Sequence, residues 1–155
     1  MSSRDTSQAA SASAAGYAGD LTPEQTWERL SHDGAAQLID VRTMAEWNFV
    51  GIPDLASLNR QALLCQWQHF PPAANPSFVE EAADALKRIG YQPGSALFFL
   101  CRSGARSRAA AIAMTSAGFG PCFNIAQGFE GNLDSARHRG SSGGWKAAGL
   151  PWIQT

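Results

Sequence analysis

Apolar residues along this chain occur in two alternating patterns, short continuous runs and helically spaced positions. The continuous run at 96–100 and the partly polar segment 37–41 predict buried strands, and a third strand is predicted at 122–125. Between the first two segments, one amphipathic helix is predicted from the spacing of Phe78, Val79, Ala82, Leu86 and Ile89. Strands that alternate with helices, one of them apolar throughout, predict an α/β protein with a parallel sheet covered on both faces.

Two capping boxes mark helix starts in the first third of the chain. The segment 22–25, Thr-Pro-Glu-Gln, predicts a helix that ends by Gly34. The segment 43–46, Thr-Met-Ala-Glu, predicts a second, short helix that runs through Trp47. Both predictions depend on local sequence alone, because each box satisfies the first N–H groups of its own helix.

The remaining segments are less regular. Residues 50–76 contain several prolines and predict one short strand near Leu58 and a helical turn at 63–67. Residues 128–155 are rich in glycine but contain several large apolar residues. We expect this last segment to wrap back over the sheet and not to form a domain of its own.

The composition is that of one globular domain. The chain has 155 residues, of which 45% are hydrophobic and 16% are charged, and this balance excludes a largely disordered chain. The Ser- and Ala-rich segment 1–20 is predicted to be a flexible tail, which leaves 21–155 as the domain. The net charge of -1 gives no reason to expect a nucleic-acid or membrane partner.

The three cysteines occur without a Cys-x-x-Cys pair. This pattern argues against a disulfide framework and against a zinc site of ordinary spacing, so no metal is expected. It suits a reducing compartment, and no run approaches the roughly 20 apolar residues of a membrane-spanning helix. We therefore expect a cytoplasmic protein.

The loop at 101–107, Cys-Arg-Ser-Gly-Ala-Arg-Ser, carries the clearest chemical signal. It follows the apolar strand at 96–100 and precedes a helix predicted at 108–117. Helix N-termini present unpaired N–H groups and a partial positive charge, which favour an anion and a reactive thiolate. The loop therefore predicts an enzyme that works through a charged sulfur on Cys101.

A set of motifs, taken in chain order, resembles the rhodanese family of sulfurtransferases. The motifs are Leu38-Ile39-Asp40-Val41-Arg42, Glu46-Trp47, the loop at 101–107, Gln127-Gly128-Phe129 and Gly149-Leu150-Pro151-Trp152. The resemblance covers about 21–152 and suggests a single-domain member. It implies a rhodanese-like three-layer α/β fold, with a central five-stranded, mostly parallel sheet and helices on both faces. It also implies a catalytic cysteine, at position 101, that carries a persulfide.

The expected reaction needs two small partners. The Cys101 thiolate takes a sulfur atom from an anionic donor such as thiosulfate and passes it to an acceptor, which is cyanide, a small thiol or a protein thiol. Main-chain N–H groups from Arg102 to Ser107, including that of Ala105, would hold the terminal sulfur. Gly104 allows backbone angles that are closed to other residues. No metal or organic cofactor is needed.

The side chains of the loop have different expected roles. Arg102 is the expected donor-recognition residue, which the resemblance supports for thiosulfate-preferring members. Arg106 either braces the loop or meets the donor. Ser103 and Ser107 can offer hydroxyl groups to the bound sulfur, and Ser107 can instead cap the following helix.

Outside the loop, Asp40, Arg42 and Glu46 are predicted to support the site structurally. Asp40 and Arg42 would form charge-assisted hydrogen bonds at the strand ends. Cys65 could relay sulfur but is expected to be a bystander, and Cys122 to be a buried small hydrophobe. His69 could line the pocket, and the basic cluster at 137–139 is either a solvated loop or a surface that steers an anion.

Two other functions remain open. Cysteine phosphatases, and by the same logic arsenate reductases, also place a thiolate at a helix N-terminus. Their loop puts five residues between cysteine and arginine, whereas four separate Cys101 from Arg106. The other alternative is a non-catalytic rhodanese-like binding module, and Cys101 with its basic neighbours argues against it.

Overall fold

The structure is a computed structural model that describes residues 15–69, 73–133, 135–139 and 143–154. Within these residues the strands are β1 Gly19–Leu21, β2 Gln37–Asp40, β3 Ile52–Pro53, β4 Leu63–Leu64, β5 Gln68–His69, β6 Ala73–Ala74, β7 Leu97–Leu100, β8 Cys122–Ile125 and β9 Trp152–Ile153. The helices are α1 Pro23–His32, α2 Met44–Val50, α3 Phe78–Arg88, α4 Ala105–Ser116 and α5 Gly144–Ala147. The predicted alternation of strands and helices is thus confirmed for the main elements.

The central sheet has five strands in the order β1-β8-β7-β2-β4, and every neighbouring pair is parallel. Two small antiparallel pairs, β3 with β9 and β5 with β6, lie outside it. The pairing of β9 with β3 agrees with the expectation that the C-terminal segment wraps back over the fold. The sheet brings the carboxyl ends of β2, β7 and β8 to one edge, where ligand sites of parallel sheets lie.

Side-chain alternation along β7 divides the core into two layers. Leu97, Phe99 and then Cys101 pack in a cluster with residues of α3 and α4. Phe98 and Leu100 pack in a second cluster with residues of α1 and α5. Both layers are apolar, which explains why this strand is hydrophobic at every position.

Both capping boxes form as predicted. Gln25 N–H donates to the Thr22 hydroxyl over 3.0 Å, and Thr22 N–H donates to the Gln25 side chain over 2.9 Å. Thr43 and Glu46 make the same reciprocal pair at the start of α2. The helix after the loop is predicted too late, since α4 begins at Ala105 and not at Arg108.

The predicted tail boundary at residue 20 is wrong. Gly19–Leu21 forms an edge strand on β8, and Tyr17 is buried. Only residues 1–14 of the predicted tail lie outside the described residues. The strand could not be predicted because it has only three residues, Gly-Asp-Leu, and therefore contains no continuous apolar run.

Two predictions in the irregular segment are also wrong. The chain at 56–58 forms a 3-10 turn and not a strand. Leu63–Leu64 forms the edge strand β4 and not a helical turn, because it pairs with Ile39 and Asp40 of β2. Short apolar runs do not distinguish a strand from a helix by periodicity, so this pairing decides.

Candidate active site

The Cys101 thiol lies directly beyond β7, beneath the start of α4. Gly104 N–H donates to Cys101 Sγ over 3.1 Å, and the Ser107 hydroxyl lies 3.2 Å from the same sulfur. Cys101 is only 1% exposed, so the sulfur is enclosed by its own loop. Gly104 has φ +121°, a value that L side chains rarely adopt, and this turn directs its N–H toward the sulfur.

Other main-chain N–H groups of the loop have no partner in the described part of the protein. They belong to Arg102, Ser103, Ala105, Arg106 and Ser107. The last three form the first turn of α4, where N–H groups have no acceptor within the helix. These groups and the helix dipole are available to an anion, such as an additional sulfur on Cys101.

Ser107 is a contact of the thiol and not a helix cap, because Gly104 occupies the N-cap position of α4. Its hydroxyl also lies 2.5 Å from Asn124 Oδ1 and 3.2 Å from the Gly104 carbonyl oxygen. Asn124 Nδ2 donates to Asp20 Oδ1 over 3.0 Å, which orients the Asn124 amide. A chain of polar groups thus runs from Asp20, which is exposed on β1, through buried Asn124 on β8 to the sulfur.

Sequence reasoning missed Asp20 and Asn124 as members of this site. Asp20 falls in the predicted tail, and Asn124 falls inside a predicted strand. The one available signal was Asn124 itself, because an amide in a buried strand requires hydrogen-bond partners.

Arg106 braces the loop. Its guanidinium makes a bidentate ion pair with Glu46 on α2, with N–O distances of 2.8 and 2.9 Å. Burial alone would raise the pKa of Glu46, but hydrogen bonds from Arg106 and Thr43 outweigh burial and lower this pKa to about 2. Because the Arg106 guanidinium is paired with this carboxylate, the structure favours the bracing role of Arg106 over contact with the donor.

This ion pair predicts a pH-dependent loss of stability in the Glu46→Gln variant. A lowered folded-state pKa stabilises the protein fully above the unfolded value near 4.5 and progressively less as the pH falls toward 2. We expect E46Q to lower the free energy of unfolding at pH 7 by about 1–3 kcal/mol. Urea unfolding at pH 7 and pH 3 measures this, and the difference from the wild type should shrink at pH 3.

Glu80→Gln is the matched control for that experiment. Glu80 is also an acidic residue in the first turn of a helix, but it is exposed and has no ion pair among the described residues. E80Q should leave the free energy of unfolding almost unchanged at both pH values. An E46Q effect of equal size at pH 7 and pH 3 would contradict the assigned role of the carboxylate.

Asp40 and Arg42 form a second, fully buried ion pair at the end of β2. Arg42 Nη2 lies 2.6 Å from Asp40 Oδ2 and also donates to the Gly51 carbonyl over 2.7 Å. The Arg42 guanidinium lies 4.3 Å from the centre of the Phe129 ring. This cluster ties β2 to the segment after β8 at the edge that carries the loop.

The segment that follows β8 supports the loop from its outer side. Phe129 N–H donates to the Cys101 carbonyl over 2.8 Å, and Glu130 N–H donates to the Arg102 carbonyl over 3.0 Å. Gly128 has φ +60°, and a Cβ there would lie 2.6 Å from the Arg102 carbonyl carbon. These bonds occupy the carbonyl groups of Cys101 and Arg102, while the N–H groups of the loop remain available to an anion.

A cleft of about 510 Å³ opens beside the loop. Its lining comes from α2, from the β5 strand, from the loop and from the segment after β8: Thr43, Ala45, Glu46, Phe49, Val50, Gln68, His69, Arg102, Arg106, Glu130 and Arg139. Arg102 is exposed on its wall, and His69 lines it as one of the predicted alternatives.

The two other cysteines are buried thiols. Burial raises the pKa of Cys65 to about 11, and Glu81 adds to the shift. Burial also raises the pKa of Cys122 to about 11. Both side chains therefore stay protonated at neutral pH, which makes them poor nucleophiles and disfavours a sulfur relay through Cys65.

Comparison with protein families gives a match to the model described as the STR4 middle domain, over residues 19–155. The chain belongs to this family. An RP600 homolog from Rickettsia rickettsii, an uncharacterized protein, is 38% identical over 133 residues, which is 86% of this chain and 95% of that protein. The chloroplastic calcium sensing receptor of Zea mays is 30% identical over 140 residues, which is 83% of this chain and 35% of that protein.

Solved structures show the same fold in this STR4 middle-domain chain. Rv0390 from M. tuberculosis is 47% identical, with a TM-score of 0.82 over 90% of this chain and 99% of that one. The polysulfide-sulfur transferase of Wolinella succinogenes is 20% identical, with a TM-score of 0.54 over 97% and 90% of the two chains. The predicted α/β fold with a five-stranded parallel central sheet is confirmed.

One further solved structure has a similar fold. A protein of Rhodopseudomonas palustris CGA009, described as a possible tyrosine phosphatase, is 21% identical, with a TM-score of 0.52 over 87% of this chain and 84% of that one. At this identity the likeness shows the fold alone.

In the described part of the chain, no helix has the length and apolar character needed to cross a bilayer.

Proposed function

We propose that this protein is a sulfurtransferase that carries sulfane sulfur as a persulfide on Cys101. The observation that carries the proposal is the set of polar groups, most of them N–H donors, around Cys101 Sγ. The Gly104 N–H and the Ser107 hydroxyl lie within 3.2 Å of it, and the adjoining loop N–H groups have no partner among the described residues. Such a cradle stabilises negative charge on sulfur both before and after transfer.

In the first half-reaction, the Cys101 thiolate attacks the outer sulfur of thiosulfate. A new S–S bond forms, the S–S bond of thiosulfate breaks, and sulfite leaves with the electron pair. The product, Cys101–S–S⁻, carries one negative charge, as the thiolate did. No proton is transferred, so the step needs no general base once the thiolate is present.

In the second half-reaction, a nucleophilic acceptor attacks the outer sulfur of the persulfide. Cyanide leaves as thiocyanate, and a thiolate acceptor becomes a persulfide itself. The Cys101 thiolate departs with the electron pair and is again held by the loop. The residues named here perform both steps without a resident metal or organic cofactor.

Three features favour sulfur transfer over phosphate-ester hydrolysis. In a phosphatase, Arg106 would have to bind the phosphate, but its guanidinium is paired with Glu46. Cys101 is 1% exposed, which suits attack on a single terminal sulfur atom better than attack on a tetrahedral phosphorus. The loop is also one residue shorter than the phosphatase loop.

Intact-mass measurement tests the proposal. Wild-type protein incubated with thiosulfate should gain the mass of one sulfur atom, and added cyanide should remove it with formation of one equivalent of thiocyanate. A phosphomonoester assayed in parallel should not turn over. Phosphatase turnover without sulfur uptake would favour the alternative enzyme, and neither activity would favour a binding module.

A further inference from the structure

Three arginines line the cleft beside the loop at 101–107, but their charges are not equally available. The Arg106 guanidinium is paired with both oxygens of Glu46. For Arg102 and Arg139, no carboxylate of the described residues lies within 4.0 Å of the guanidinium. These two are therefore the cations that the described part of the cleft offers to a ligand.

Arg139 is attached to the same backbone that supports Arg102. Gly131 N–H donates to the Arg102 carbonyl over 3.2 Å, and the Gly131 carbonyl accepts from Arg139 Nη1 over 2.8 Å. Gly131 has φ +71°, and a Cβ there would lie 2.6 Å from the Gly143 carbonyl carbon, so only glycine fits. One tightly packed residue thus fixes the main chain at Arg102 and one edge of the Arg139 guanidinium.

We propose that Arg139 and Arg102 together form the binding site for the oxyanion end of the sulfur donor, with Arg139 as a specificity-determining residue. This inference rests on the proposed function of Cys101. A donor of the thiosulfate class must present its outer sulfur to Cys101, which leaves its negatively charged oxygens in the cleft. A guanidinium has five N–H donors, and Gly131 accepts only one from Arg139.

The charge of the cleft favours an anion, because its lining carries three arginines against Glu46 and Glu130 and so has a net charge of +1. Two available guanidinium groups face a donor with two negative charges, and bidentate N–H contacts to oxygens are the geometry in which arginine binds most strongly. Glu130, which lines the same cleft, opposes a second bound anion. The acceptors of the second half-reaction, cyanide and thiolates, carry no group of oxygens for the two guanidinium groups to bind.

Calorimetric titration of thiosulfate into the Cys101→Ser protein tests this site without any turnover. Adding R139Q should raise the thiosulfate Kd by about tenfold or more, because a hydrogen-bonded charge is lost. Adding R139K, which keeps the charge but loses the planar fork, should give an intermediate Kd. R137Q is the matched control, since Arg137 is an exposed arginine of the same loop that does not line the cleft.

Kinetics of the otherwise wild-type protein provide the second measurement. R139Q should raise the thiosulfate concentration for half-maximal persulfide formation by about tenfold and leave the rate of transfer to cyanide almost unchanged. Equal Kd values in C101S with and without R139Q, or an equal effect of R137Q, would overturn the proposal. Failure of the wild type to take up sulfur would overturn the function of Cys101, while thiosulfate binding would still report on Arg139.

Discussion

Cys101→Ser is expected to abolish sulfur transfer while the fold is kept. Serine is close in size to cysteine and can accept the Gly104 N–H, so the loop should retain its shape. It cannot form a persulfide, so thiocyanate formation from thiosulfate and cyanide should fall by about 10⁴-fold or more. Steady-state thiocyanate assays and intact-mass measurement of the variant check both parts of this expectation.

Cys65→Ala is the matched control for the loss of a buried thiol. Cys65 is buried and protonated at neutral pH, and the proposed reaction does not use it. Its variant should lose some stability but keep sulfur uptake and turnover within about threefold. Turnover that survives in C101S but disappears in C65A would show that Cys65, and not Cys101, carries the transferred sulfur.

Gly104→Ala is expected to have the second largest effect, through the backbone alone. A Cβ at Gly104 meets no atom closer than 3.7 Å, so the substitution causes no serious clash. It does penalise the φ of +121° that directs the N–H toward Cys101 Sγ. We expect turnover to fall by about 10²-fold, the cost of one misplaced donor to a reacting anion, and stability to fall by about 1–3 kcal/mol.

Gly118→Ala separates the rate effect from backbone strain. Gly118 follows the other end of α4 with φ +94°, and a Cβ there has nothing within 4 Å. Its variant should show a comparable loss of unfolding free energy by urea titration but near wild-type turnover. Equal losses of turnover in G104A and G118A would mean that the Gly104 N–H has no special role.

Local signals in the sequence were sufficient for the main elements and for the position of the loop. The capping boxes at 22–25 and 43–46 form because each pairs residues three positions apart. Cys101 falls at the end of a strand that is apolar at every position, and this placement follows from the run at 96–100 alone. What these residues contact within a few positions could therefore be predicted.

Long-range partners could not be predicted in this way. The carboxylate that occupies Arg106 is Glu46, sixty positions earlier in the chain, and only the packing of α2 beside the loop brings them together. Asp20 reaches Asn124 because β1 joins the edge of β8. A short edge strand carries too few residues for a periodic pattern, so both the strand and the polar chain it completes escaped prediction.

The same limit explains why the sequence left the role of Arg139 open. Arg139 stands in a polar segment where a solvated loop was the simpler interpretation. Its place on the cleft wall depends on Gly131, whose conformation is set by contact with Gly143. No pattern of hydrophobic and polar residues records that contact.

A crystal structure of the protein after treatment with thiosulfate tests the central claim most directly, because it locates the added sulfur and its neighbours. We expect one extra sulfur atom bonded to Cys101 Sγ and within hydrogen-bond distance of the main-chain N–H groups at the start of α4. An added sulfur on Cys65 or Cys122, or one on Cys101 that points away from those N–H groups, would contradict it.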